Sequence, residues 1–395
     1  MRSMEIERRR LLSAIALGGF FIGLGEIKGV KPSTGGVRPR TGSDPMGGGG
    51  EASSMPEDAL YLAARKNGEH YEAALFDSEA KDRTVISLPG RGHSFAIDGK
   101  HRRAVAFGRQ PGFFAVAMEF DSAGEPLVLK AEAGRHFYGH GVYAPDGRRL
   151  YATENDYEAG RGVIGVYDCR PGQGYGRIGE YSTGGVGPHE VVLLADERTL
   201  CVANGGILTH PDYGKLQLNA AEMRPSLAYL DLATGDLLEQ VFLDESLNRL
   251  SIRHLVVDEA GYVWFGCQYT GPAAHRPPLL GRHRRGMPAE LLQADEGNLR
   301  AMKNYIGSLA YDPRGKVVST TSPVGGVAVF WDAQSGQCLG RSAIFDGCGV
   351  AAAPGGGFLI SSGDGRLARI SPKDNFKAVV QTERQLAWDN HMRRV

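Results

Sequence analysis

The stretch His140-Gly-Val-Tyr-Ala-Pro-Asp-Gly-Arg-Arg-Leu-Tyr-Ala-Thr153 carries the plan of this chain. A polar residue opens a short apolar strand, an Asp-Gly turn follows, and a second apolar strand runs back. Asp and Gly tolerate positive φ at little cost, so Asp146-Gly147 is tight-hairpin chemistry, as is Asp98-Gly99. The same plan restarts at His93, His189, His254, Ser308 and Gly349, the last copy ending at Ser362. After the hairpin comes a third strand that often ends in Asp: Phe113 to Asp121, Val163 to Asp168, Leu227 to Asp231, Val327 to Asp332. Asp231-Leu-Ala-Thr-Gly235 and Asp332-Ala-Gln-Ser-Gly336 are turns into a fourth strand. Four antiparallel strands repeated along a chain make the blades of a β-propeller.

The strand starts at 93, 140, 189, 254, 308 and 349 are spaced by 47, 49, 65, 54 and 41 residues. The long spacing contains an insertion, Gly205 to Arg224, after the second strand of its unit. A seventh start, His391, leaves room for one strand only. Its three missing partners lie at the other end of the chain, at Leu60–Ala64, His70–Phe76 and Thr84–Leu88. Residues 57–395 shared over seven units give about 48 residues each, within the ~40–50 of known blades. The expected fold is all-β, a seven-bladed propeller over 57–395, its ring closed by the C-terminal strand joining the N-terminal blade.

Composition agrees with this and removes other classes. Of 395 residues 56 are Gly, about twice the ordinary share, as many tight turns require. The 45 Lys and Arg balance the 45 Asp and Glu, so no electrostatic case exists for nucleic acid. Five Cys form no CxxC pair and no disulfide framework. Cys201 and Cys267, at matching second-strand positions, read as small core residues. The tract Arg282-His283-Arg284-Arg285 reads as a solvated outer face.

Residues 1–28 pair a basic head, Arg8-Arg9-Arg10, with an apolar run from Leu11 to Leu24 that is short and Gly-rich for a spanning helix. The order Arg8-Arg9-x-Leu11-Leu12 resembles a twin-arginine export signal, with Glu7, Leu11 and Ser13 departing from the usual pattern. That implies a periplasmic protein, touching the membrane only through an uncleaved signal. Residues 29–56, with Pro32, Pro45 and Gly47 to Gly50, read as a flexible linker.

The first strand of each blade lines the central channel, and its start shares a face with the end of the second strand. Five of the seven starts are His: His93, His140, His189, His254 and His391, out of 11 His in the chain. Second-strand ends add Arg109, Glu154, Asn155, Asp156, Asn204, Gln268 and Asp364. Imidazole is the commonest protein metal ligand. This set therefore predicts a site for a divalent metal, iron or copper, in which Arg109, Glu154, Asn155, Asn204 and Gln268 support the five His. A metal–nitrogen bond of about 2.0–2.1 Å lets only two or three His share one ion, with the neighbours His140, His189 and His254 the expected unit. The alternative is that each His holds a neighbouring loop and was copied round the ring by duplication. The insertion rises over the same face, where His210, Asp212 and Tyr213 are candidates for a lid. No nucleophile elbow, P-loop or HExxH is present, and no catalytic residue is singled out.

Gly206-Ile-Leu-Thr-His-Pro-Asp-Tyr-Gly-Lys215, Asn304-Tyr-Ile-Gly-Ser308 and Trp388-Asp-Asn-His391 resemble a domain-of-unknown-function family of twin-arginine-exported propellers. Such proteins are encoded beside imelysin-type iron-regulated proteins, and the resemblance implies a periplasmic binding or accessory role near iron acquisition, with iron-uptake proteins as partners. A repeat-level similarity to propeller lactonases rests on Gly187-Pro-His-Glu-Val191 and Leu200-Cys-Val-Ala-Asn204. It implies a metal-dependent hydrolase as the alternative. A docking scaffold without a small ligand is the third reading.

Overall fold

The computed structural model describes residues 59–121, 125–214 and 216–395. The signal-like segment 1–28, the linker 29–56 and the expected start at residue 57 lie outside the described residues. Among the described residues twenty-eight strands form seven antiparallel sheets of four strands each. The chain is a seven-bladed β-propeller.

Numbered from the closing blade, the innermost strands are Ala387–Arg394, Gly92–Asp98, Arg135–Tyr143, Pro188–Leu193, Leu250–Val257, Ser308–Asp312 and Gly347–Ala352. Blade 1 is composite: Ala387–Arg394 pairs antiparallel with Leu60–Asn67, followed by His70–Asp77 and Asp82–Leu88. Side chains of the closing strand pack into this blade, with Trp388 against Phe76 at 4.8 Å between rings. The C-terminal strand thus supplies the inner strand of a blade whose other three strands come from residues 60–88.

Sheet faces stack blade on blade through near-continuous buried runs, the pattern expected of strands buried on both faces, with alternate residues entering the layers on either side. One such layer joins Leu62, Leu75, Phe95, Val116 and Met118; another joins Tyr151, Ile164, Val202 and Leu230. Cys201 and Cys267 are fully buried in a third, as small core residues.

The short helix α1, Glu296–Met302, lies between blades 5 and 6, an element the four-strand repeat does not contain. Asp295 caps it, accepting from the Asn298 amide at 2.9 Å, and Leu299 and Met302 face the core.

The basic tract divides. Arg284 and Arg285 are exposed, but Arg282 and His283 belong to the third strand of blade 5 and are buried, against expectation. Arg282 lies over Trp264 and donates to Glu290 at 2.8 Å, and His283 meets the Tyr229 hydroxyl at 2.6 Å. A guanidinium stem covers apolar surface while its head finds an anion, so basic residues near an outer strand need not face water.

Candidate metal and ligand site at the channel

The inner strands do not run regularly to their ends. Pairing with the second strand slips beside His93 (Gly92/Phe95), His140 (Phe137/Gly141), His189 (Pro188/Glu190), His254 (Ile252/His254) and His391, where Asp389–His391 fall out of register. A bulge re-aims side chains that strict alternation would send to opposite faces. Here it turns each imidazole toward the channel axis. Blade 6 has Ser308 at this level, its hydroxyl 3.4 Å from His391 Nδ1. Blade 7 has Gly349, where a Cβ would stand 2.6 Å from the Met392 amide nitrogen. Gly139, at φ +106°, is also obligatory: its Cβ would lie 2.4 Å from the His93 ring.

All five His are brought together and buried. Their ring centroids lie 4.5 to 5.9 Å apart in eight pairs. Two trios put one ring nitrogen each within 4.8 Å of the others: His93, His140 and His189; and His140, His254 and His391. In the second trio the Nε2 atoms are buried without a hydrogen-bond partner. His93 and His189 instead leave Nδ1 unpartnered.

Glu190 explains the orientation of the second trio. Its buried carboxylate faces His140 Nδ1 at 3.5 Å and His254 Nδ1 at 3.3 Å, and Arg393 ion-pairs with it. A carboxylate facing Nδ1 favours the proton there and leaves Nε2 as a lone pair. This is the outer-shell arrangement by which metal-ligating His are fixed. Burial alone would raise the Glu190 carboxyl, but Arg393 and the two imidazoles overcome it and hold it well below the usual carboxylate range.

Burial pushes every ring toward its neutral form. Desolvation is the largest cause for all five. It lowers His254 to about 4 despite Glu190, and His93, His189 and His391 fall well below the ordinary value, helped by neighbouring imidazoles. Neutral imidazole is the metal-binding form. Unpaired buried nitrogen is costly in an apo protein, and a shared ion removes that cost.

A cavity of about 520 Å³ opens over this ring. His93, His189 and His254 form its floor, and Arg109, Tyr138, Arg253, Gln268, Tyr305 and Asn390 its walls. The insertion supplies part of the rim through Ile207, Thr209, Gly214 and Gln217. Thr209 ties it to the ring, accepting from Gln110 Nε2 at 3.1 Å and, through its carbonyl, from Asn155 Nδ2 at 3.2 Å. His210, Asp212 and Tyr213 are not among the lining residues; His210 packs on Tyr157 at 4.9 Å instead.

The supporting residues separate into two groups. Arg109 and Gln268 line the cavity, Arg109 paired with Asp389 at 3.3 Å and Gln268 donating to the Ile306 carbonyl at 3.2 Å. Glu154 is held inside blade 3 by the Tyr167 hydroxyl at 2.5 Å and by Arg177 at 2.9 Å. Asn155 donates to Thr209 and meets His136 Nε2 at 3.1 Å, and Asn204 donates to the Thr183 carbonyl at 2.9 Å. These three side chains are used in fixing strands and loops. Glu190, Arg253 and Tyr305 were missed in the sequence reading; the adjacency of Glu190 to His189 and Arg253 to His254 was the available signal.

Fold and site together define the class: a seven-bladed propeller with a buried imidazole ring beneath a polar cavity. The chain belongs to the family described as "Protein of unknown function (DUF1513)", whose pattern matches residues 86–395. No curated protein matches its sequence. Among solved structures it is similar to Kuenenia stuttgartiensis hydrazine synthase (14% identity, TM-score 0.57) and to the periplasmic gluconolactonase PpgL of Pseudomonas aeruginosa (15% identity, TM-score 0.57). Each alignment covers 85% of this chain and 99% of the other. At such identities the likeness carries the propeller and nothing about chemistry.

Proposed function

We propose that this protein is a metal-binding propeller, in which His140, His254 and His391 hold one first-row divalent cation through Nε2. The single observation that carries this reading is the set of orphaned, buried Nε2 atoms backed at Nδ1 by Glu190 and Ser308. An all-imidazole set suits copper, zinc, nickel and iron better than magnesium or calcium. The Arg8-Arg9 segment and the resemblance to exported propellers encoded beside iron-regulated proteins support a periplasmic accessory role, with iron or copper the first metals to test.

A lactonase-type hydrolase fits less well. Such chemistry uses a metal-bound water together with a positioned base. No Asp or Glu lines the described cavity, and Glu154 is engaged by Arg177 and Tyr167. Binding therefore takes precedence over hydrolysis. The test is elemental analysis of the full chain purified without chelator, followed by titration of stripped protein with Cu(II), Zn(II) and Fe(II). One equivalent per chain, lost in His140→Ala, is expected. A protein that takes up none of the three at micromolar concentration contradicts the reading and leaves a docking scaffold.

A further inference from the structure

The cavity above the imidazoles has an unbalanced charge. Arg109 reaches Asp389 at 3.3 Å and shares that carboxylate with Arg91. Arg253 projects into the same space from the strand that carries His254, and its buried Nε has no hydrogen-bond partner. Facing it are His189, His254 and the phenols of Tyr138 and Tyr305, with no carboxylate among them. Neither Asp nor Glu contributes to the described wall. A half-buried guanidinium whose Nε is buried and unpartnered is poorly satisfied, and its planar fork matches a carboxylate in a bidentate arrangement.

We infer that this cavity binds a small organic carboxylate, with Arg253 as its anchor and the imidazole floor beneath its far end. Size and lining favour an organic acid over an inorganic anion. About 520 Å³ is far more than one phosphate fills and falls in the range of small-molecule sites. The remaining polar walls, Gln268, Asn390, Tyr138 and Tyr305, are neutral amides and phenols suited to hydroxyl and carboxyl groups on a carbon skeleton. A phosphate site would be expected to gather several cations or backbone amides, and here only Arg253 has no carboxylate partner.

The experiment is calorimetric titration of the full chain, stripped of metal with the neutral chelator 1,10-phenanthroline. Citrate, malate and inorganic phosphate are compared at matched ionic strength. The expected result is one citrate or malate per chain with phosphate at least about tenfold weaker, and a loss of at least about tenfold in Arg253→Gln. Arg253→Lys, which keeps the charge without the fork, should fall between. No carboxylate binding up to about 10 mM, phosphate binding as tightly as citrate, or undiminished binding in Arg253→Gln would each overturn the inference. Should neither variant fold, the ranking of citrate, malate and phosphate on the parent protein still decides. His140→Ala removes an ion ligand outside the cavity wall, so carboxylate binding retained there separates this inference from the metal reading.

Discussion

Acid should destabilise the metal-free protein earlier and more steeply than its carboxylates can account for. In the unfolded chain each His of the ring titrates near 6.5, whereas in the folded protein burial keeps it neutral to lower pH. Between those two values the unfolded state binds more protons, so stability is intact above about pH 6.5 and is lost as pH falls. For His254, with a folded pKa of about 4, the full loss is about 3 kcal/mol, at about 1.4 kcal/mol per pH unit. His93, His189 and His391 are also held well below the ordinary value by burial, and each adds up to the same slope below about pH 6.5. Coupling does not relieve the effect, since a ring that charges repels its neighbours and holds them neutral to still lower pH. Even three protons give about 4 kcal/mol per pH unit, a large share of the ~5–15 kcal/mol that stabilises an ordinary domain. Glu190 and Asp82 have lowered values and act only at more acid pH, whereas the buried carboxyls of Glu154 and Asp346 are raised, take up protons in the folded state and offset part of the histidine slope. His136 and His283, also lowered, add to the same slope from outside the ring. Urea unfolding of the stripped protein at half-unit steps from pH 8 to 5 measures the effect. A flat profile above pH 7 followed by a slope of three or more protons is expected. A slope of one proton or less would refute the claim that the ring is held neutral by the fold.

Other outcomes follow from particular contacts. Ending the chain at Leu386 removes Trp388 and Met392, worth about 3–5 and 2–5 kcal/mol when truncated in cores, and exposes an inner strand edge. That protein should not show a cooperative thermal transition; one that melts like the parent contradicts the ring closure. Glu190→Gln strands Arg393 and releases His140 and His254, so a loss of about 3 kcal/mol in urea unfolding and at least about tenfold in metal affinity is expected. Glu154→Gln should lower stability by less than Glu190→Gln, because Arg177 keeps Glu180 at 2.8 Å, while leaving metal binding unchanged; urea unfolding and isothermal titration check the two. Gly139→Ala forces a methyl into the His93 ring at positive φ, and reduced soluble yield with a lower melting temperature is expected.

The propeller was legible because its period is long and its turn chemistry local. Val327 to Asp332 matches the observed strand, and the N-terminal strands are extended by only a few residues at either end. Helix α1 was hidden because seven residues inside a 54-residue repeat leave no periodic signature, only the Asp295 cap. The His ring was legible from register, since one position repeated round a closed ring must converge. Glu190 was not, because alternation assigns it to the face opposite His189; only the slip at Pro188/Glu190 puts both inside. Arg253 and His254 share that history through the slip at Ile252/His254. Glu154, Asn155 and Asn204 sit at the expected strand ends. Their partners come from other strands and the insertion, which sequence spacing does not reveal.

The most direct test of the central claim is X-ray absorption spectroscopy at the metal edge, on the full chain loaded with one equivalent of zinc or copper. The account predicts a first shell of nitrogen at about 2.0–2.1 Å with the outer-shell signature of three imidazoles, lost in His140→Ala. A shell of sulfur at about 2.3 Å, of carboxylate oxygen alone, or a spectrum unchanged in His140→Ala would place the ion elsewhere and contradict it.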